Sequence, residues 1–271
     1  MNTTRLPLSD GTSIPRLGLG LWRVDDTARI TEMAIGLGYR LIDGAAIYGN
    51  EVGMGEGIRA SGVPRADLFV TTKVWNDRQG YDSTIKAVGE SLTRLGLDRV
   101  DLCLIHWPCA AQNKFVDTWR TLIHLRDQGV LTSIGVSNFN AAQIDRLVAE
   151  TGVMPVLNQV ELHPRLQQAA LRKAHADRGV ITQSWTPLGK GLSFDAPAIR
   201  SIAERVGKSP AQVILRWHLQ LGLSVIPRST RVEGLAQNID LFDFSLTDPD
   251  LAAMAALDAG ARVGPDPDQF G

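Results

Sequence analysis

Short apolar runs recur along the chain at intervals of about thirty residues, the size of one strand–helix unit. They read "RLGLGL" from Arg16, "RLID" from Arg40, "LFVTTK" from Leu68 and "VDLCLI" from Val100. Then come "LTSIGV" from Leu131, "PVLNQVE" from Pro155, "VITQSW" from Val180 and "LSVIP" from Leu223. Each is too short for an independent helix and rich in Val, Ile and Leu. Nearly unbroken apolarity predicts strands covered on both faces, as in a parallel sheet.

The intervening segments carry a helical period. In "DSTIKAVGESLTRLG" the apolar positions Ile85, Val88, Leu92 and Leu95 share one face. Asp82 or Ser83 is placed to cap its start, and Gly96 to end it in the left-handed region. "SPAQVILRWHLQLG" offers Ser209 as cap, Pro210 at the first helical position and Gly222 as stop. "NAAQIDRLVAETG" repeats that grammar from Asn140 to Gly152.

Eight such units predict an α/β protein of the (β/α)8 barrel type, forming a single domain over residues 1–271. "LPLSDGTSIP" predicts an N-terminal β-hairpin turning at Asp10-Gly11. The rival is an open doubly wound sheet, which often carries G-x-G-x-x-G after its first strand. Gly18 and Gly20 lack the third glycine, and "GMGEG" at Gly53–Gly57 misses the spacing.

Composition changes this picture little. The 28 basic and 29 acidic residues give a formal net charge of −1, so no pull toward nucleic acid or an anionic membrane is expected. The two cysteines, Cys103 and Cys109, form no C-x-x-C pair, and Cys103 sits inside an apolar run as a small core residue. The opening "MNTTRLPLSDGTS" has no long apolar stretch, which predicts no signal peptide, no membrane span and a cytoplasmic protein.

In a barrel, chemistry gathers where strands end and the following loops begin. Asp43 ends the second run, with Tyr48 in the loop after it; Lys73 ends the third and His106 the fourth. Taken singly, each has an ordinary use as a turn residue, a solvated cation, a structural histidine or a packing ring. Together they make a proton donor. A free tyrosine has a pKa of about 10. A neighbouring ammonium is expected to lower it, an aspartate to hold that ammonium, and a histidine to hydrogen-bond a carbonyl oxygen. Carbonyl reduction needs an acid aimed at a developing alkoxide.

The stretches "GLGLW", "LIDGAAIYGNE", "TTKVW", "LIHWP", "IGVSNF", "NQVELHP", "SWTPLGKG" and "IPRS" resemble, in order and spacing, the aldo-keto reductase family over essentially the whole chain. Through "SWTPLG" and "NIDLFDFSLTD" the chain is most similar to the prokaryotic subgroup around 2,5-diketogluconate reductase. The resemblance implies a catalytic set of Tyr48, Asp43, Lys73 and His106, with Tyr48 as general acid. It implies NADPH lying across the rim and giving hydride directly to the carbonyl carbon. Ser137, Asn138 and Gln159 match positions that hold the nicotinamide carboxamide, and Trp185 the ring that stacks on it. Leu188, Arg228, Ser229, Thr230 and Asn238 match further cofactor positions, Arg228 to Thr230 at the 2′-phosphate. Trp22, Trp107 and His106 are expected to meet a small carbonyl substrate, with Trp75 at the same rim. A monomer is the family default.

Two departures stand out. Gly44 replaces the Thr that usually follows the catalytic Asp, which is expected to loosen the local backbone. Gly234 stands where close relatives place a second basic residue, which is expected to narrow any preference for NADPH over NADH. A non-catalytic barrel that keeps the cofactor pocket for sensing is the alternative function. Metal-dependent hydrolysis fits less well, because a lysine stands where a ligand is needed. Substrate specificity is expected in the βα loops and in the tail "ARVGPDPDQFG", which reads as disorder or as a flap that orders on binding.

Overall fold

The computed structural model describes residues 5–270. The first four residues, part of the stretch read for a leader, lie outside the described residues. The hairpin forms from β1 (Arg5–Pro7) and β2 (Ser13–Pro15), paired antiparallel. Asp10 Oδ1 accepts from the Thr12 amide inside the turn, and Gly11 has φ of 87°. Eight parallel strands follow: β3 (Leu19–Gly20), β4 (Leu41–Asp43), β5 (Phe69–Val74), β6 (Val100–Ile105), β7 (Leu131–Ser137), β8 (Leu157–Glu161), β9 (Ile181–Trp185) and β10 (Ser224–Val225). They pair in sequence order. A parallel bridge between Leu17 and Val225 joins the last strand to the first and closes the ring.

Between and after the strands lie α1 (Thr27–Gly36), α2 (Glu51–Ala60), α3 (Tyr81–Leu95), α4 (Phe115–Asp127), α5 (Ala141–Thr151), α6 (Ala169–Asp177), α7 (Pro197–Val206), α8 (Pro210–Gln220), α9 (Val232–Ile239) and α10 (Asp248–Ala255). Helices α5 and α8 start in the reciprocal caps Asn140/Gln143 and Ser209/Gln212, as their sequences predict. Helix α3 departs from expectation. It begins at Tyr81 after Gly80, whose φ of 105° suits glycine, so Asp82 lies in the first turn rather than capping it. Its buried face is Thr84, Ala87, Val88, Ser91 and Leu95, and Ile85 is left exposed. The "GMGEG" run has a packing role instead of a phosphate-binding one. A Cβ at Gly57 would lie 2.3 Å from the Ala28 carbonyl oxygen, and at Gly55 2.0 Å from that of Leu95, so only glycine lets α2 approach both neighbours.

Strand alternation decides what reaches the rim. Leu41, Phe69, Leu102, Leu104 and Leu157 form one cluster inside the ring, with Leu8 and Ile14 of the hairpin covering its floor. Ile42, Val70, Cys103 and Ile134 belong to the outer layer with the helices. The inner row therefore continues from Leu41 to Asp43, from Phe69 through Thr71 to Lys73, from Leu104 to His106 and from Leu157 through Gln159 to Glu161. Polar residues at inward positions past the apolar floor face one another at the mouth. Among the described residues, no helix is long and apolar enough to cross a membrane.

Candidate active site

Lys73 and Asp43 meet at the mouth of the ring, where both side chains are buried. Lys73 Nζ donates to Asp43 Oδ2 at 2.6 Å, to the Gly44 carbonyl at 2.8 Å and toward the Tyr48 hydroxyl at 3.4 Å. Three donors thus meet three oxygens. Asp43 Oδ1 accepts from Gln159 Nε2 at 2.7 Å, so the carboxylate is fixed from both ends. Burial favours the neutral form of Lys73, but Asp43 and Tyr48 outweigh it and raise its pKa, keeping the ammonium charged.

Tyr48 closes a short 3-10 turn over Ala46–Tyr48, which ends at Gly49 with φ of 68°. Its ring is only partly covered, packing 4.9 Å from Trp22 and 5.8 Å from His106, centroid to centroid. The expectation of a lowered Tyr48 pKa is not met. Desolvation raises it, and the opposing pull of Lys73 is smaller. The phenol therefore keeps its proton at neutral pH, as an acid must before it acts. His106 is pushed well below its ordinary value by burial and by the Lys73 charge, so it is a neutral imidazole.

At Gly44 the backbone is hydrogen-bonded on both sides. Its amide donates to the Thr71 carbonyl and its carbonyl accepts from Lys73. A Cβ there would lie 2.7 Å from Met54 Sδ, so here Met54 occupies the space a larger residue would need.

A cavity of about 850 Å³ opens over these groups. Of the expected residues, Trp22, Asp43, Tyr48, His106, Trp107, Ser137, Asn138, Gln159, Trp185, Leu188 and Arg228 line it. Trp185 Nε1 donates to Asn138 Oδ1 at 2.8 Å, and Ser137 Oγ donates to the Gln159 carbonyl, so these three strands hold one polar shelf. Lys73 lies beneath the lining, as a residue acting through Tyr48 would. Ser229, Thr230 and Asn238 are not in the lining. Ser229 bonds the backbone of Arg231, Thr230 is exposed, and Asn238 is buried in α9. Arg228 Nη1 reaches the carbonyls of Trp22 and Arg23 at 3.4 and 3.0 Å.

Sequence reasoning did not single out Arg23 or Lys190, and it named the tail as a specificity segment without naming its residues. Arg23 and Lys190 add cations, and Phe270 with Val263–Pro265 adds a wall from the tail. Within the described residues the tail is packed rather than disordered. Phe270 lies 4.6 Å from Trp107 and 6.3 Å from Trp75, and the Val263 and Gly264 amides donate to Glu161. An acidic residue two positions past Gln159 on an inward row was the available signal.

Known proteins share this chain's sequence and fold over nearly its whole length. The model of the Aldo/keto reductase family matches residues 16–259. An aldo-keto reductase of Mycolicibacterium smegmatis is 52% identical over 268 residues, covering 98% of each chain. Methylglyoxal reductase DkgA of Escherichia coli is 46% identical over 275 residues, covering 100% of this chain and 99% of its own. Among solved structures, a mutant of Gox0644 in complex with NADPH superposes with a TM-score of 0.95 at 44% identity over the full length of both chains. With a match across nearly the whole barrel and relatives of such identity over their full length, the chain belongs to the aldo/keto reductase family.

Proposed function

We propose that this protein reduces aldehyde, ketone or dicarbonyl groups to alcohols at the expense of NADPH, with Tyr48 as the general acid. The observation that carries the reading is the Asp43–Lys73–Tyr48 chain of contacts, set beside a neutral His106 at the floor of an aromatic cavity. The cavity suits a nicotinamide dinucleotide. Arg23, Lys190 and Arg228 supply cations for phosphates, Trp185 a ring face, and Ser137, Asn138 and Gln159 a buried polar shelf. When bound there, NADPH supplies hydride to the carbonyl carbon.

The chain's own residues do the rest. His106, neutral, donates a hydrogen bond that orients the carbonyl oxygen beside Tyr48. As negative charge develops on that oxygen, the Tyr48 hydroxyl transfers its proton to it. Lys73 stabilises the phenolate left behind, and Asp43 holds Lys73 charged and in line. Trp22, Trp75 and Trp107 keep water from the reacting oxygen and favour small, partly apolar substrates. Methylglyoxal, the substrate in the name of the DkgA relative, is a dicarbonyl of suitable size. The intact acid argues against a purely sensing barrel. The proposal extends to a monomer acting in the cytoplasm, which size-exclusion chromatography and cell fractionation test.

The test is to mix purified protein with NADPH and methylglyoxal and follow loss of the reduced-nicotinamide absorbance, with alcohol identified as product. Cofactor binding without oxidation, across a panel of activated aldehydes, would favour the sensing role.

A further inference from the structure

Glu161 ends β8 on the inward row, with no solvent exposure. The chemistry above does not use it. Its Oε1 accepts from the Val263 amide at 2.6 Å and from His163 Nε2 at 3.0 Å, and its Oε2 accepts from the Gly264 amide at 3.1 Å. Burial alone would raise this carboxyl, but the bonds from His163, Val263 and Gly264 outweigh it and hold it below the ordinary glutamate value. A buried carboxylate that grips two successive amides of a distant segment fixes that segment's path.

That path leads into the cavity. Gly264 lies so close to Trp185 that a Cβ on it would sit 2.4 Å from the indole Cη2. Val263 is tied to the loop on the other side, its carbonyl accepting from Lys190 Nζ at 2.7 Å. Six residues past Gly264, Phe270 packs on Trp107. The segment thus spans from the shelf under Trp185 to the aromatic wall beside His106.

We propose that Glu161 is a positioning residue of the reductase site, a latch that holds the C-terminal segment in place as the substrate-side wall and so sets affinity for bulky carbonyl substrates. This rests on the reductase reading. Glutamine at 161 keeps the size of the side chain but offers one oxygen where two amides need acceptors, and its NH2 group meets the second amide donor to donor. Loosening the latch lets Phe270 leave Trp107 without touching Tyr48, Lys73 or His106.

The experiment combines amide exchange with a double-mutant cycle on the full chain. In the wild type, the Val263 and Gly264 amides should exchange slowly. In Glu161→Gln they should exchange on the order of tenfold faster, the loss expected for one charge-assisted hydrogen bond. KM for benzaldehyde should rise by a similar factor while kcat and KM for methylglyoxal hardly change. Phe270→Ala should reproduce the benzaldehyde effect, and the double variant should be no worse than either single. Rapid exchange of both amides in the wild type would overturn the proposal whether or not Glu161→Gln folds. So would effects on KM that multiply in the double variant, or a Glu161→Gln protein with unchanged exchange and KM. If the wild type reduces no aldehyde, the functional reading fails, and the exchange data still decide whether Glu161 holds the segment.

Discussion

Lys73 Nζ lies 2.6 Å from Asp43 Oδ2, with the lysine side chain 0% and the aspartate 2% exposed. Such a pair costs desolvation on both sides and persists because every polar hydrogen of the ammonium finds an oxygen. Removing one partner leaves a buried charge uncompensated, which typically costs about 3–5 kcal/mol. Asp43→Asn should therefore lower the urea midpoint strongly as well as turnover. A variant that loses activity but unfolds at the wild-type midpoint would mean that water replaces the carboxylate at no cost.

Trp185 is bonded through Nε1 to Asn138 and packed against Gly264, so its ring is held before any ligand arrives. NADPH should quench the intrinsic fluorescence, and Trp185→Ala should remove much of that quench. Stacking contributes about 0.5–1.5 kcal/mol beyond burial, so affinity should fall by about tenfold or somewhat more once the lost burial is added. A mutant with the full quench would assign the signal to Trp22 or Trp107.

Arg228 is exposed and, among the described residues, bonds the backbone carbonyls of Trp22 and Arg23, so its guanidinium is available to a phosphate. Arg228→Ala should weaken NADPH by roughly tenfold to a hundredfold, the worth of a charge-assisted bond, and NADH far less. Equal weakening of both cofactors in titrations at one ionic strength would make Arg228 a strut for the Trp22 loop. Gly234→Arg adds a cation, but its Cβ would lie 2.4 Å from Ser229 Oγ, so Ser229 must turn away. The gain for NADPH should be smaller than charge alone predicts, and salt should erode it.

Buried histidines predict acid sensitivity. His175 and His218 are each pushed down to about 4 by burial. His175 lies between the Asn158 amide and Thr182, as suits a neutral ring, whereas His218 faces the Ile214 and Leu162 carbonyls, which oppose burial and of which a neutral ring can bond only one. The unfolded chain takes up these protons near pH 6.5 and the folded one only near 4, so in that window the unfolded state binds more protons. Stability should be fully present above about pH 6.5 and fall by up to about 1.4 kcal/mol per pH unit for each group on acidification, flattening near pH 4. Flat urea midpoints between pH 7 and 5 would show that these rings protonate in place.

The strand–helix grammar was legible because both periods are local. All eight runs became strands, although β3 and β10 shrank to two residues where the ring closes through a bridge at Leu17. Asp43, Lys73 and His106 were legible as polar ends of apolar runs. The direction of the Tyr48 shift was not, because it depends on how much water the fold removes. Glu161 was not legible, because its role depends on two amides that the tail, about a hundred residues away, brings to it. Ile85 failed because a fifteen-residue helix with a mixed stripe leaves the choice of buried face to its neighbours.

The most direct test of the account is single-turnover oxidation of NADPH by Tyr48→Phe with saturating methylglyoxal. The phenylalanine keeps the ring against Trp22 and removes the proton donor, along with the longest, at 3.4 Å, of the three Lys73 contacts. NADPH affinity and thermal stability should stay near wild type, while the hydride-transfer rate falls by about 10²–10⁴, the usual worth of a general acid. A Tyr48→Phe protein that oxidises NADPH at close to the wild-type rate would contradict the assignment and place the acid elsewhere in the cavity.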